Sequence, residues 1–231
     1  MDNRLEADLR VVYDTDSGMA IIVKVDKTTI LFDDSKDLTK LLKHLARHRI
    51  RENVDLVIMA HAVGDLLTGI KTLVKQNPEI ILYLPSSVPD HTIRGIRQAG
   101  ASSIRVQWPM TLTPNVFMVT QRTTHGFKPT LVIRTSKGLF LLGPSIYGTP
   151  EGIDAEIATL FPGQPLHAVI GFSELSALGN DDISTAIGSL KQLAPKNIWT
   201  CRCTGQLAKQ AMSSNLPANH SNISDGTIIQ L

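Results

Sequence analysis

The stretch that most constrains the fold is D-L-V-I-M-A-H-A-V-G-D-L-L-T-G at positions 55–69. Its apolar run, 56–59, stops at Ala60-His61, and a loop carrying Gly64 and Asp65 leads into a helix-like segment over 66–74. A buried strand that ends at a His and an Asp puts polar side chains on the rim of a sheet, where a rigid scaffold presents catalytic or binding groups. Whatever fold the chain adopts must therefore hold an interior strand followed by a helix, with His61 and Asp65 at their junction.

The remaining pattern is mixed α/β. Segments 9–13, 19–25 and 28–32 read as three strands joined by short turns, an antiparallel meander. Over 38–48, Leu38, Leu41, Leu42 and Leu45 share one helical face and Lys40, Lys43, His44 and Arg47 the other, as in a helix that covers a sheet. His44 and His48 lie four apart and could share a metal, but no carboxylate or Cys accompanies them, so a solvated basic face is expected. Strand 79–84, helix 90–99 and strand 103–106 form a βαβ-like unit that implies parallel pairing. Strands 115–120, 130–134 and 138–142 then return to hairpins, with a turn at 136–138. Helix 151–160 follows Pro150, and strand 167–170 follows it. Next come helix 181–193, with Asp181 and Asp182 at its positive end, strand 197–201, helix 205–212 and strand 226–231. Nothing resembles a linker, so residues 1–231 are expected to form one domain.

Composition removes several function classes. The 231-residue chain is 42% hydrophobic and 19% charged with a net charge of +2, which gives no basic field for nucleic acid. Its apolar runs fall short of the roughly 20 residues that cross a bilayer, and the polar N-terminus lacks a signal core, so a cytoplasmic protein is expected. Cys201 and Cys203 would point the same way on an extended strand and read as reduced thiols rather than a disulfide framework. Trp108, beside Pro109 and Met110, is either local packing or an interface to a homo-oligomer or larger complex.

Several segments, in order along nearly the whole chain, resemble one branch of the metallo-β-lactamase fold, that of the dihydropterin ribofuranosyl-aminobenzene phosphate synthases and ferredoxin-like hydrolases. I-L-F-D at 30–33 resembles its early strand, and T-S-K-G-L-F-L-L-G at 135–143 followed by Ser145 resembles its T-x-K-G-x-x-x-x-x-G-C-S-H stretch. Gly171-Phe172 resembles part of G-G-F-H, C-R-C-T-G at 201–205 resembles C-H-C-T-G, and residues 226–231 resemble the closing G-T-x-x-x-L. The resemblance implies an αββα four-layer sandwich.

In that pattern H-x-H-x-D-H and two later His residues grip two metal ions. Here His61 and Asp65 remain, whereas Val63, Leu66, Ile146 and Arg202 stand at ligand positions and Ser173 at the G-F-H position. Catalytic zinc needs about three protein ligands, so the resemblance implies no tightly bound metal and no cofactor. A degenerate, catalytically inactive protein is expected, one that binds a small anionic or pterin-like ligand, or a protein partner, through His61, Asp65, Arg202, Thr204 and Gly205. Asp65 either pairs with Arg202 across the old site or caps the helix from Leu66. His61 is a hydrogen-bonded buried side chain or a base, and Thr204 lines an anion pocket or caps a helix. The alternative is a residual zinc or iron hydrolase or transferase using His61 and Asp65, with help from His91, His125 or His167.

Overall fold

The computed structural model describes residues 7–16, 18–35, 37–49, 53–61, 66–123, 126–144, 153–172, 175–176 and 178–231. Strands β1 (Ala7–Thr15), β2 (Gly18–Val25) and β3 (Thr28–Asp33) form the first meander, antiparallel and in chain order. Helix α1 (Leu38–Arg47) then leads to β4 (Leu56–Met59), α2 (Leu66–Gln76) to β5 (Ile81–Pro85), and α3 (Asp90–Gln98) to β6 (Ser102–Val106). These three strands extend the sheet from β3 in parallel, because a helical crossover returns the chain to the same edge.

The second half repeats the plan. Strands β7 (Met110–Thr113), β8 (Val116–Thr123), β9 (Gly126–Thr135) and β10 (Gly138–Gly143) are antiparallel. Helix α4 (Ile153–Leu160), β11 (Leu166–Gly171), α5 (Asn180–Leu193), β12 (Asn197–Thr200), α6 (Gln206–Asn215) and β13 (Asn219–Asn222) complete a parallel portion. Strand β14 (Ile228–Gln230) returns to pair with β1. The two seven-stranded sheets run β14-β1-β2-β3-β4-β5-β6 and β13-β12-β11-β10-β9-β8-β7.

Period-two alternation sorts the strand side chains into layers. Met19, Ile21 and Val23 of β2, Ile30 and Phe32 of β3, Phe140 and Leu142 of β10 and Ala168 and Ile170 of β11 share the core between the sheets. Ala20, Ile22, Leu31 and Val57 face the other way and pack with Leu38, Leu41 and Leu45 of α1 and Ile70 of α2. Leu139, Leu141 and Val169 meet Ile183, Ala186, Ile187 and Leu190 of α5. Helices therefore cover both outer faces, and the order is αββα. Burying one such side chain is worth about 1.5–3 kcal/mol, so the three layers hold the frame on which the loops sit.

Three differences from the sequence expectations have physical causes. Strand β13, N-H-S-N, carries no apolar alternation, and β7 hides in the Pro-flanked segment after Trp108, so both strands are set by pairing rather than by pattern. Trp108 itself is 65% exposed. The basic face of α1 is exposed at Lys40, Lys43, Arg47 and His48, but His44 is half-buried: its ring lies edge-on to Tyr13 with centroids 5.2 Å apart, and Nε2 is 3.3 Å from Asp225 Oδ2. That carboxylate comes from far along the chain, where helical periodicity cannot see it. Among the described residues no helix is long and apolar enough to cross a membrane.

Candidate functional site

Parallel strands end together, so β3, β4, β10, β11 and β12 deliver residues 33–35, 60–61, 143, 171–172 and 201–204 to one rim. The β1–β2 hairpin ties the two sheets together there. Gly18 has φ +150°, and a Cβ on it would lie 2.3 Å from the Asp34 carbonyl oxygen. Gly171, at φ +125°, is equally enforced: its Cβ would meet the Gly143 carbonyl oxygen at 2.3 Å and the end of Met19 at 3.1 Å. Only glycine permits these approaches.

On the first sheet the rim carries Asp33, Asp34 and His61. Asp34 is fully buried, and its Oδ1 is 2.9 Å from Nε2 of His61, whose side chain is 17% exposed. The contact is a close approach of imidazole and carboxyl rather than an aligned hydrogen bond, since neither Asp34 oxygen has an aligned donor among the described residues. Asp33 Oδ1 accepts the Ser35 backbone N–H at 2.8 Å, while Oδ2 has no such partner among the described residues. Burial pushes the Asp33 carboxyl up to about 7, against the opposing pull of Ser35, with the Asp34 charge adding to the rise.

On the second sheet the rim is built around Cys201 and Cys203, which form a disulfide with Cα atoms 5.2 Å apart. This corrects the expectation of reduced thiols. That expectation assumed an extended strand, but β12 stops at Thr200 and Arg202–Thr204 is a 3-10 turn that curls Cys203 back into bridging range. Asp14 joins the pair from β1. The ladder slips between Val11 and Tyr13, where Val11 exchanges backbone hydrogen bonds with Gly226 and Thr227. After the slip Tyr13 pairs with outward-facing Ala20 and Asp14 with inward-facing Met19, so the bulge turns a carboxylate into the space between the sheets. Asp14 Oδ1 accepts the Arg202 backbone N–H at 2.8 Å, and Oδ2 has no hydrogen-bond partner among the described residues. Burial raises the Asp14 carboxyl, the Arg202 hydrogen bond opposes it, and Asp225 adds to the rise.

The remaining sequence candidates are placed as follows. Arg202 is 61% exposed, and its Nε and Nη2 reach Asp16 at 3.2 and 3.5 Å. Asp65, its expected partner, lies outside the described residues, as do Val63, His125, Ile146 and Ser173. Thr204 is buried and occupied internally: its hydroxyl donates to the Gly171 carbonyl at 2.8 Å and accepts the Cys201 N–H at 3.2 Å. Gly205 caps α6 in a positive-φ conformation, and its N–H donates to the Arg202 carbonyl. His91 is exposed on α3. His167 sits at the other end of β11 from Gly171, its ring centroid 4.9 Å from that of Phe140, with its pKa lowered by burial and by Lys137 and Lys196.

Sequence reasoning missed Asp14, Asp16 and Asp34. Asp34 had a signal, since two acids follow an apolar strand beside the strand that ends at His61. Asp14 had none, because its direction depends on a bulge.

Architecture and rim together define a metallo-β-lactamase fold. Among solved structures the chain is similar to a metal-dependent hydrolase of the β-lactamase superfamily, at TM-score 0.72 and 17% identity over 97% of this chain and 99% of that one. The metallo-β-lactamase-fold protein YhfI from Bacillus subtilis gives 0.66 and 12% over 99% and 100%. A diphosphatase from the PhnP family gives 0.59 and 14% over 97% and 98%. No family model and no curated protein sequence matches the chain. Likeness at these identities carries the fold.

Proposed function

We propose that the chain is a metallo-β-lactamase-fold protein without metallohydrolase activity, whose rim cleft binds a small anionic or pterin-like ligand or a protein partner. The observation that carries this reading is the engagement of the residues where metal would be held. His61 turns Nε2 onto Asp34, and Arg202, standing where the resembled motif has a His, is turned out to Asp16. The donor set does not fit a dinuclear centre. Val63, Leu66 and Ile146 offer no lone pair, and Arg202 brings a permanent positive charge. Two of the structurally similar proteins are named as a metal-dependent hydrolase and a diphosphatase, which favours activity, and the donor set argues against it.

The test is elemental analysis of disulfide-intact protein purified without chelator and expressed with zinc, iron and manganese supplied, together with hydrolysis of bis(p-nitrophenyl) phosphate. The expected result is less than about a tenth of an equivalent of metal, since about three ligands are needed, and no turnover above buffer. One equivalent bound, with turnover lost in His61→Ala, overturns the reading in favour of a residual hydrolase. Calorimetric titration with a pterin phosphate then tests the ligand class, with Arg202→Ala expected to weaken binding.

A further inference from the structure

We propose that Asp14, Cys201 and Cys203 form a redox-gated site for one thiophilic divalent cation, with zinc as the probe. These residues are not those that the resemblance assigns to metal. Among the described residues they are the one group of three potential ligands whose donor atoms all lie within 4.8 Å of one another, and all three are buried. Opening the disulfide takes two electrons and two protons from a dithiol, which becomes a disulfide, or two electrons from a phosphine, which becomes its oxide while water supplies the oxygen and both protons; either leaves two thiols. Binding the cation as the bis-thiolate then releases those two protons.

Four observations support a built site. The Asp14 carboxylate is held by one oxygen through the Arg202 N–H, which leaves Oδ2, buried and without a hydrogen-bond partner among the described residues, to act as a ligand. A ligating carboxylate fixed by a backbone donor is the usual second layer of a metal centre. The turn that carries the sulfurs is fixed by Thr204, whose backbone N–H donates to the Cys201 carbonyl at 3.2 Å and whose hydroxyl lies 3.4 Å from Cys201 Sγ. Lys209 and Arg202 place positive charge near Asp14, with Asp225 acting against them, and so offset part of the net negative charge of two thiolates and a carboxylate around a dication. Finally, the disulfide spans a sequence separation of only two, and closing so short a loop removes little freedom from the unfolded chain, so bracing the fold is a weak reason for it.

Intact protein and protein reduced with a phosphine, then freed of reductant, are titrated with cobalt(II) and with zinc against a chromophoric chelator. The reduced form is expected to take one equivalent and show thiolate-to-cobalt charge-transfer absorption, and the intact form none. Cys201→Ser and Cys203→Ser, each checked for a native circular dichroism spectrum, are expected to abolish the absorption, and Asp14→Asn to weaken zinc binding at least tenfold. Failure of reduced, folded protein to bind overturns the proposal. So does an equivalent that survives both serine variants. An equivalent that is lost with His61→Ala but retained in Cys201→Ser also overturns it, and contradicts the proposed function as well.

Discussion

Replacing Asp33 by Asn is expected to remove a large, pH-dependent part of the stability. Asp33 is fully buried, and its carboxyl moves from 3.8 to about 7 on folding. Its folded pKa lies above the unfolded one, so its contribution is complete below pH 3.8 and is lost as pH rises through about 7. At about 1.4 kcal/mol per unit the full span is about 4 kcal/mol, of which roughly 2–3 kcal/mol falls between pH 5 and pH 8. Asparagine keeps an oxygen for the Ser35 N–H, so the variant removes the titration without removing that hydrogen bond. Urea unfolding of both proteins from pH 5 to pH 8 reads the difference directly, with other titrations cancelling. The stability of the native protein relative to Asp33→Asn should fall by roughly 2–3 kcal/mol across that range. Parallel stability curves would refute a buried carboxyl that ionises near neutrality.

Other expectations concern the same rim. His61→Ala removes the imidazole that stands 2.9 Å from the buried Asp34 carboxyl and should cost about 1–3 kcal/mol in urea unfolding at pH 7. Gly18→Ala forces a Cβ to within 2.3 Å of the Asp34 carbonyl at a strained φ, and should lower the melting temperature more than alanine at Gly179, where nothing lies within 4 Å. Arg202→Ala should change stability by no more than about 0.5 kcal/mol, because the Arg202–Asp16 pair is exposed and the backbone N–H that holds Asp14 is retained.

The layers were legible because their cause is local. Alternation in β2 and β3 and leucine spacing in α1 each state which face is buried, and the meanders and βαβ units follow from turn chemistry and segment length. His61 was legible as a rim residue because an apolar strand ends there. The partners were not legible. Asp34 meets His61 across adjacent strands, Asp14 reaches Cys201 through a bulge fixed by the chain's last turn, and Arg202 meets Asp16 across 186 positions. Cys203 was misread because a 3-10 turn replaces the strand that its spacing suggested. Such contacts are set by tertiary register, which a local pattern does not encode.

The proposed function requires that the rim hold no metal at His61. Crystals of the disulfide-intact protein grown with zinc and manganese would test it through anomalous difference density. No peak is expected within bonding distance, about 2.0–2.2 Å, of His61. A peak ligated by His61 and Asp65 would contradict it.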